Sequence, residues 1–489
     1  MRKWLLAAAA VALGVLATGA AAANGRYPAA SKILFSPSDP SLAVLRTTYG
    51  VLVSHDGGAT WDWLCEAALG IASNQSVDPI LGLTAGGTLV AAVFDRLMIS
   101  NDTGCNWSVA SCPFSKQRIA DIVVRPDAPH VLLAITSTPT SASPMAPSDA
   151  GAPCPGTSVD VGVDDSGIGY YDQVFESTDD GAHWSALGPP IDPTAAVTTL
   201  DVAPSDPRRL YVSAYRTGGG TRAAVLFVST DSGAHWAEHP MPALDPLAET
   251  EAYVAAVDPL DADRVYVRTG GAGGSRLFVT SDAGNTFQIP LKLTGQMLGF
   301  ALSPDGSTIY VGSPADGLLA AARASLSFVS VSAVHVACLA MHGVELWACS
   351  TEASGFIAGV SSDQGVSFTP KLHLRNGVRA ALACPLDSIA AQCSGAAFQQ
   401  FCATFGCADA GETPGAGEAA PRDAAVCGGD AGGDARSPAR APPKSCGCSA
   451  VGNGSTAGLV LLFAGLAGAV ARRLTSPRRG APRRGCPSR

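Results

Sequence analysis

Six aspartates in this chain stand in one recurring setting, and they are the residues most suggestive of acid or nucleophile chemistry: Asp56, Asp102, Asp179, Asp231, Asp282 and Asp363. Each follows a Ser or Thr by two positions, precedes a Gly by two and an aromatic residue by five, as in SHDGGATW from Ser54, STDDGAHW from Ser177 and SSDQGVSF from Ser361. A carboxylate beside a hydroxyl could serve proton transfer or covalent catalysis, and His183 and His235 fall within two of the copies. The spacing fits a hairpin turn better. There the carboxylate accepts turn amides, the Gly permits a positive φ, the hydroxyl closes another local bond and the ring packs between sheets. Six copies of one arrangement are scaffold, and the two His occupy variable positions that face solvent.

A second group could bind rather than react. Arg46, Arg216 and Arg268 are each followed by Thr at corresponding places, and Arg222 and Arg276 close the Gly-rich stretches that Arg216 and Arg268 open. A ring of guanidinium groups around a shared mouth would grip carboxylate or phosphate in bidentate fashion. The other reading is that these Arg end exposed strands and aid solubility. Tyr170 and Tyr171 end an insertion, Ser137 to Asp172, that also carries Asp160, Asp164 and Asp165. Those three carboxylates lack the spacing of a calcium loop and read as a solvated acidic segment. No metal or cofactor is expected: the chain has no Gly-x-Ser-x-Gly elbow, His-Glu-x-x-His, phosphate loop or paired Cys-x-x-Cys.

The elements that must position these residues are short strands. Before the turns run segments such as ILFSPSDPSLAVL from Ile33 and TLDVAPSDPRRLYVSAY from Thr199, alternating apolar residues bounded by Pro, Asp and Gly. With the turn joining two further strands, each unit has four. The aromatic ends, Trp61, Trp107, Trp184, Trp236, Phe287 and Phe368, are 46, 77, 52, 51 and 81 residues apart. The last step hides a unit whose turn has decayed near Phe328, and the step of 77 is one unit with an insertion. Seven four-stranded units make a single seven-bladed β-propeller, an all-β body. Naming strands A to D from the axis outward, the A–B and C–D turns share one face and the B–C and D–A loops the other. The acidic turns lie on the first face, and the arginines and the insertion on the second, where a site is expected.

The repeated turn resembles the Asp-box (BNR) repeat of a propeller superfamily that includes sialidases, xyloglucanase-type glycoside hydrolases, sortilin-type receptors and photosystem assembly factors. The resemblance covers roughly 32–370. It implies the fold and says little of activity, because such propellers host both enzymes and binding proteins. A sialidase would carry an Arg-Ile-Pro-like segment early on; here GRYPAA, with Arg26, lacks the Ile. A xyloglucanase-type cleft needs two propellers, and the repeats suffice for one. The expectation is a non-catalytic binding or scaffold module for a glycan or protein ligand. The alternative is a glycoside hydrolase with paired carboxylates on the B–C face.

The ends give an address. Residues 1–23 read as a signal peptide: Arg2 and Lys3, an apolar run, then small residues before Asn24. The chain carries 32 basic and 41 acidic residues; setting aside nine cations in the leader and the extreme C-terminus leaves 23 against 41, about −18. So acidic a body is a poor fit to nucleic acid. Fourteen Cys in an exported chain imply disulfides. Cys338 and Cys349 should bond across a short turn, Cys112 is paired with Cys154, and Cys384, Cys393, Cys402 and Cys407 should hold a helical cap with two internal disulfides. The expected divisions are thus a signal peptide at 1–23, the propeller at 24–382, the Cys-rich cap at 383–407, a disordered Ala/Gly/Pro stalk at 408–445, and a sorting or anchor segment at 446–489 with an apolar helix at 457–471. In that last segment Cys446, Gly447 and Cys448, the short apolar run and the Arg cluster resemble the C-terminal sorting tail of myxobacterial surface proteins, the MYXO-CTERM type. The resemblance implies a sorting protease acting near Cys446 or Cys448 and retention at the cell surface or outer membrane; a plain membrane anchor is the other reading.

Overall fold

The computed structural model describes residues 27–407, apart from 73–74, 111–112, 115–116, 141–168 and 219–220. The leader, the stalk, the C-terminal segment with Cys446 and Cys448, and the Cys112 and Cys154 pairing all lie outside the described residues. Among described residues no helix is long and apolar enough to cross a membrane.

Seven antiparallel four-stranded sheets follow one another along the chain as the blades of a β-propeller. Their innermost A strands are Ala30–Phe35, Ile80–Leu83, Ile119–Val124, Ala196–Val202, Glu251–Val257, Gly299–Leu302 and Cys338–His342. Strand B of each blade is nearly all buried, since neighbouring blades cover both of its faces; Ala43–Thr47 and Leu89–Val93 show it. The unit with the decayed turn is blade 6, and the insertion interrupts blade 3 between strands B and C. Cys338 and Cys349 are opposite one another on strands A and B of blade 7 and are bonded.

Outermost strands are exposed in most blades, as in Ser108–Val109 and Ser185–Ala186. Blade 1 is the exception: its D strand, Trp61–Leu64, is buried along its whole length. After blade 7 the chain returns and lays a fifth strand, Val378–Ala381, parallel to Trp61–Leu64. Arg379 grips Asp62 with two bonds, Nε to Oδ1 at 3.0 Å and Nη2 to Oδ2 at 2.6 Å. The sheet edge that a D strand normally leaves open is thereby paired.

Beyond that strand come a 3₁₀ turn (Ile389–Cys393) and one α-helix, α1 (Ala396–Phe405). Helix α1 packs Phe401 against Trp63, with ring centroids 4.6 Å apart, and Phe405 against Tyr49 at 5.2 Å. The expectation that the cap holds itself together with two internal disulfides is corrected here. Only Cys402–Cys407 is internal; Cys393 bonds Cys65 in blade 1 and Cys384 bonds Cys105 in blade 2. A segment of so few apolar residues buries little by itself, so its sulfurs are committed to the propeller.

Candidate functional site

The six acidic turns join strands C and D, and all are built alike. In blade 1 Ser54 Oγ donates to Asp56 Oδ1 at 2.8 Å and accepts the Gly58 amide at 2.8 Å, while the Thr60 amide reaches Asp56 Oδ1 at 2.8 Å. The residue four beyond each Asp also turns back: Thr60, Thr286 and Ser367 with hydroxyls, Asn106 with its amide, His183 and His235 with Nδ1, each on the second carboxylate oxygen. The Ser–Asp–His alignment is therefore not a catalytic relay. The hydroxyl of Ser177 donates to Asp179, not to His183, so no base faces a nucleophile. In the same way Ser229 donates to Asp231.

These bonds have an acid signature. The His183 ring holds the Asp179 carboxyl down to about 2, His235 does the same for Asp231, and the Ser367 hydroxyl for Asp363. Folded values below the ordinary ~3.9 mean stability that is complete above about pH 4 and is lost as pH falls toward 2. Through these turns the thermal midpoint should fall as pH drops below 4. Replacing His183 and His235 by Ala should move the Asp179 and Asp231 carboxyl titrations, followed by ¹³C NMR, up toward the ordinary value. Unmoved titrations would show that the rings carry no part of the effect.

The five arginines do not form one ring of free guanidinium groups. Arg46 Nε bonds Ser31 Oγ at 2.9 Å and its Nη1 bonds the Pro79 carbonyl at 3.0 Å. Arg216 is held between Asp192 at 2.7 Å and Glu238 at 2.6 Å. Arg276 is clamped on the buried Glu249, which also takes the Thr269 hydroxyl at 2.6 Å. Of the two tyrosines, Tyr171 is buried in the blade wall, which raises its phenol pKa, and Tyr170 is half-buried. Strand C of blade 3 pairs through both residues, which places them in the sheet rather than in a loop.

Two arginines flank a Glu–Tyr pair at the B–C ends of blades 4 and 5. Arg222 lies 4.4 Å over the Tyr215 ring and 3.3 Å from Glu251. The Tyr253 hydroxyl donates to the other Glu251 oxygen, and Arg268 lies 4.5 Å over the Tyr253 ring. Burial lowers the Arg268 pKa, and among the described residues it has the Tyr253 ring and no carboxylate. Sequence reasoning found Arg222 and Arg268 but missed Tyr215, Glu251 and Tyr253. Tyr253 stands directly opposite Arg268 in the antiparallel register, a pairing legible only once strands A and B are aligned.

The central channel carries charge as well. A cavity of about 440 Å³ is walled by A strands of blades 1 to 5 and by Pro37, Pro126 and Pro129 of two A–B turns. Lys32, Asp121 and Asp201 line it. It thus reaches toward the A–B turns, the face on which no site was expected. Asp121 accepts the amides of Ile122 at 2.9 Å and Leu200 at 3.2 Å; Asp201 accepts those of Val202 at 2.8 Å and Val257 at 3.2 Å. Each carboxylate so staples its own A strand to the next. Burial pushes Asp201 up to about 7, raises Asp121 and lowers Lys32.

No family model matches this chain, and no curated protein matches it. Solved structures do. An ancestral GH74 enzyme is 12% identical with a TM-score of 0.48, the match covering 70% of this chain and 46% of that one. A GH74 enzyme of Niastella koreensis is 16% identical with a TM-score of 0.34, covering 71% and 64%. A puromycin-hydrolyzing peptidase of Mycobacterium tuberculosis is 13% identical with a TM-score of 0.44, covering 73% and 55%. This chain spans about half to two thirds of the length of these proteins. At such identities no activity or residue role passes from them to it.

Proposed function

We propose that this protein is an exported, surface-held binding module whose ligand is an acidic glycan, gripped on the B–C face over blades 4 and 5. The observation that carries the reading is the layered cluster of Arg222, Tyr215, Glu251, Tyr253 and Arg268. Rigid aromatic rings and guanidinium groups are the side chains that dominate recognition surfaces. Arg268, with a ring on one side and no carboxylate among the described residues, is the group left to meet an acidic substituent. Disulfides between distant parts of the chain support an oxidising compartment. The signal peptide, and a tail processed near Cys446 or Cys448 by a sorting protease, complete the proposed route to the surface.

Arg268→Ala should weaken retention on immobilised uronate- or sialate-bearing glycans by at least about tenfold, the scale of one lost charge-assisted contact. Arg216→Ala, which breaks an internal pair, should leave retention unchanged. Equal retention by wild type and Arg268→Ala would remove the proposal. One observation favours glycoside hydrolysis as a second reading: the Tyr253 hydroxyl lies on a carboxylate, the arrangement of a nucleophile with its base. On that reading the protein would release the aryl group from aryl glycosides, and Tyr253→Phe would abolish the release.

A further inference from the structure

The channel cavity joins three features that the acidic-glycan reading does not use. The first is its size: about 440 Å³ is within the range of small-molecule sites and far beyond a single water. The second is its wall, which sets Leu34, Leu81, Leu83 and Ile122 beside the charged groups. The third is the arrangement of charge. Asp121 and Asp201 each use one bond per oxygen on neighbouring strands and keep further acceptor capacity. Lys32 feels both carboxylates at longer range, yet among the described residues its ammonium makes no hydrogen bond and no ion pair within 4.0 Å. Lys32, Asp121 and Asp201 are each only partly buried, so the ammonium and both carboxylates face the cavity with capacity for a ligand.

The chemistry that satisfies all three groups at once is a small molecule with an anionic and a cationic end and an apolar body. We propose that the propeller channel is a binding site for a small zwitterion of the free amino-acid or short-peptide class, its carboxylate on Lys32 and its ammonium on Asp121 and Asp201. The apolar side chain then lies against Leu34, Leu83 and Ile122. Asp201, held near 7 by burial, gains its full charge when the ammonium arrives. The cavity reaches the A–B turns at Pro37, Pro126 and Pro129, on the face opposite the glycan surface.

The test is calorimetric titration of the whole protein with four probes: L-leucine, leucyl-leucine, N-acetyl-leucyl-leucine and leucyl-leucine amide. Saturable binding of leucine or the free dipeptide, weakened at least tenfold by either blocked end, is the expected result. Leucine against leucyl-leucine separates the amino-acid source from the peptide source. In Lys32→Met the preference for the free carboxylate over the amide should vanish, and in Asp201→Asn the preference for the free amine over the acetylated form. Each variant is accepted only if its thermal midpoint shows a folded protein, and Lys32→Gln serves where Lys32→Met does not fold. Absence of saturable binding by both unblocked probes, or blocked probes binding as well as free ones, overturns the proposal.

Discussion

Replacing Cys65, Cys393, Cys105 and Cys384 together by serine should lower the unfolding free energy by about 6 kcal/mol or more, the chain-entropy scale for a cross-link that closes a loop of this length. The two bonds span 328 and 279 residues and tie the C-terminal segment to blades 1 and 2. Either pair removed alone should cost much less than half of that total, because the surviving bond closes nearly the same loop. Cys402–Cys407, only 5 residues apart, is the internal control and should cost the least. Denaturant midpoints of the oxidised proteins would decide. Additive losses from the two long-range pairs would show that they stabilise separate parts of the molecule.

Trp61→Ala should cost a further ~4 kcal/mol, the range for a large aromatic removed from a closed core. Its ring is fully buried, its Nε1 donates to the Lys371 carbonyl at 3.3 Å, and Gly58 of the same turn abuts Trp347 of blade 7. A β-carbon on Gly58 would stand 2.5 Å from that Trp347 ring, so Gly58→Ala should be damaging as well. Trp236→Ala is the comparison, since its ring is only partly buried where it packs against the core and should cost less. Equal losses at the two positions would mean that the return of the chain over blade 1 adds nothing to burial there.

That contrast between blade 1 and its fellows was not legible in the repeats. The eight-residue pattern, the alternation of strands and the decayed sixth unit together specify seven four-stranded blades, because each is a local signal. The covering of Trp61–Leu64 by Val378–Ala381 is not local: VRAA carries too few residues to announce a strand, and its partner is more than 300 positions away. The cap cysteines were misassigned for the same reason, since spacing along the chain says nothing about which distant sulfur lies nearby. A signal that was present and unused is the position four beyond each Asp. Thr, Asn, His, His, Thr and Ser look variable, yet every one carries a side-chain donor, and every one bonds the carboxylate.

The binding face was half legible. Matching Arg-Thr pairs pointed to the inner ends of the B strands, but equal register did not give equal surroundings. Arg216 meets Asp192 and Glu238, whereas Arg268 meets Tyr253 and remains uncompensated among the described residues. Which guanidinium is free depends on the loop beside it. The channel trio was missed because Lys32, Asp121 and Asp201 belong to blades 1, 3 and 4 and converge only when the circle closes.

Circular closure also sets a timetable. The strand that seals the first blade is among the last parts of the body to be synthesised, so until it arrives the Trp61–Leu64 edge is an open template for any passing extended chain. Sealing of that edge and oxidation of Cys65 and Cys105 are thereby bound into one late event. A chain truncated before Val378 would keep all seven blades and still fold as a sticky, unsealed ring.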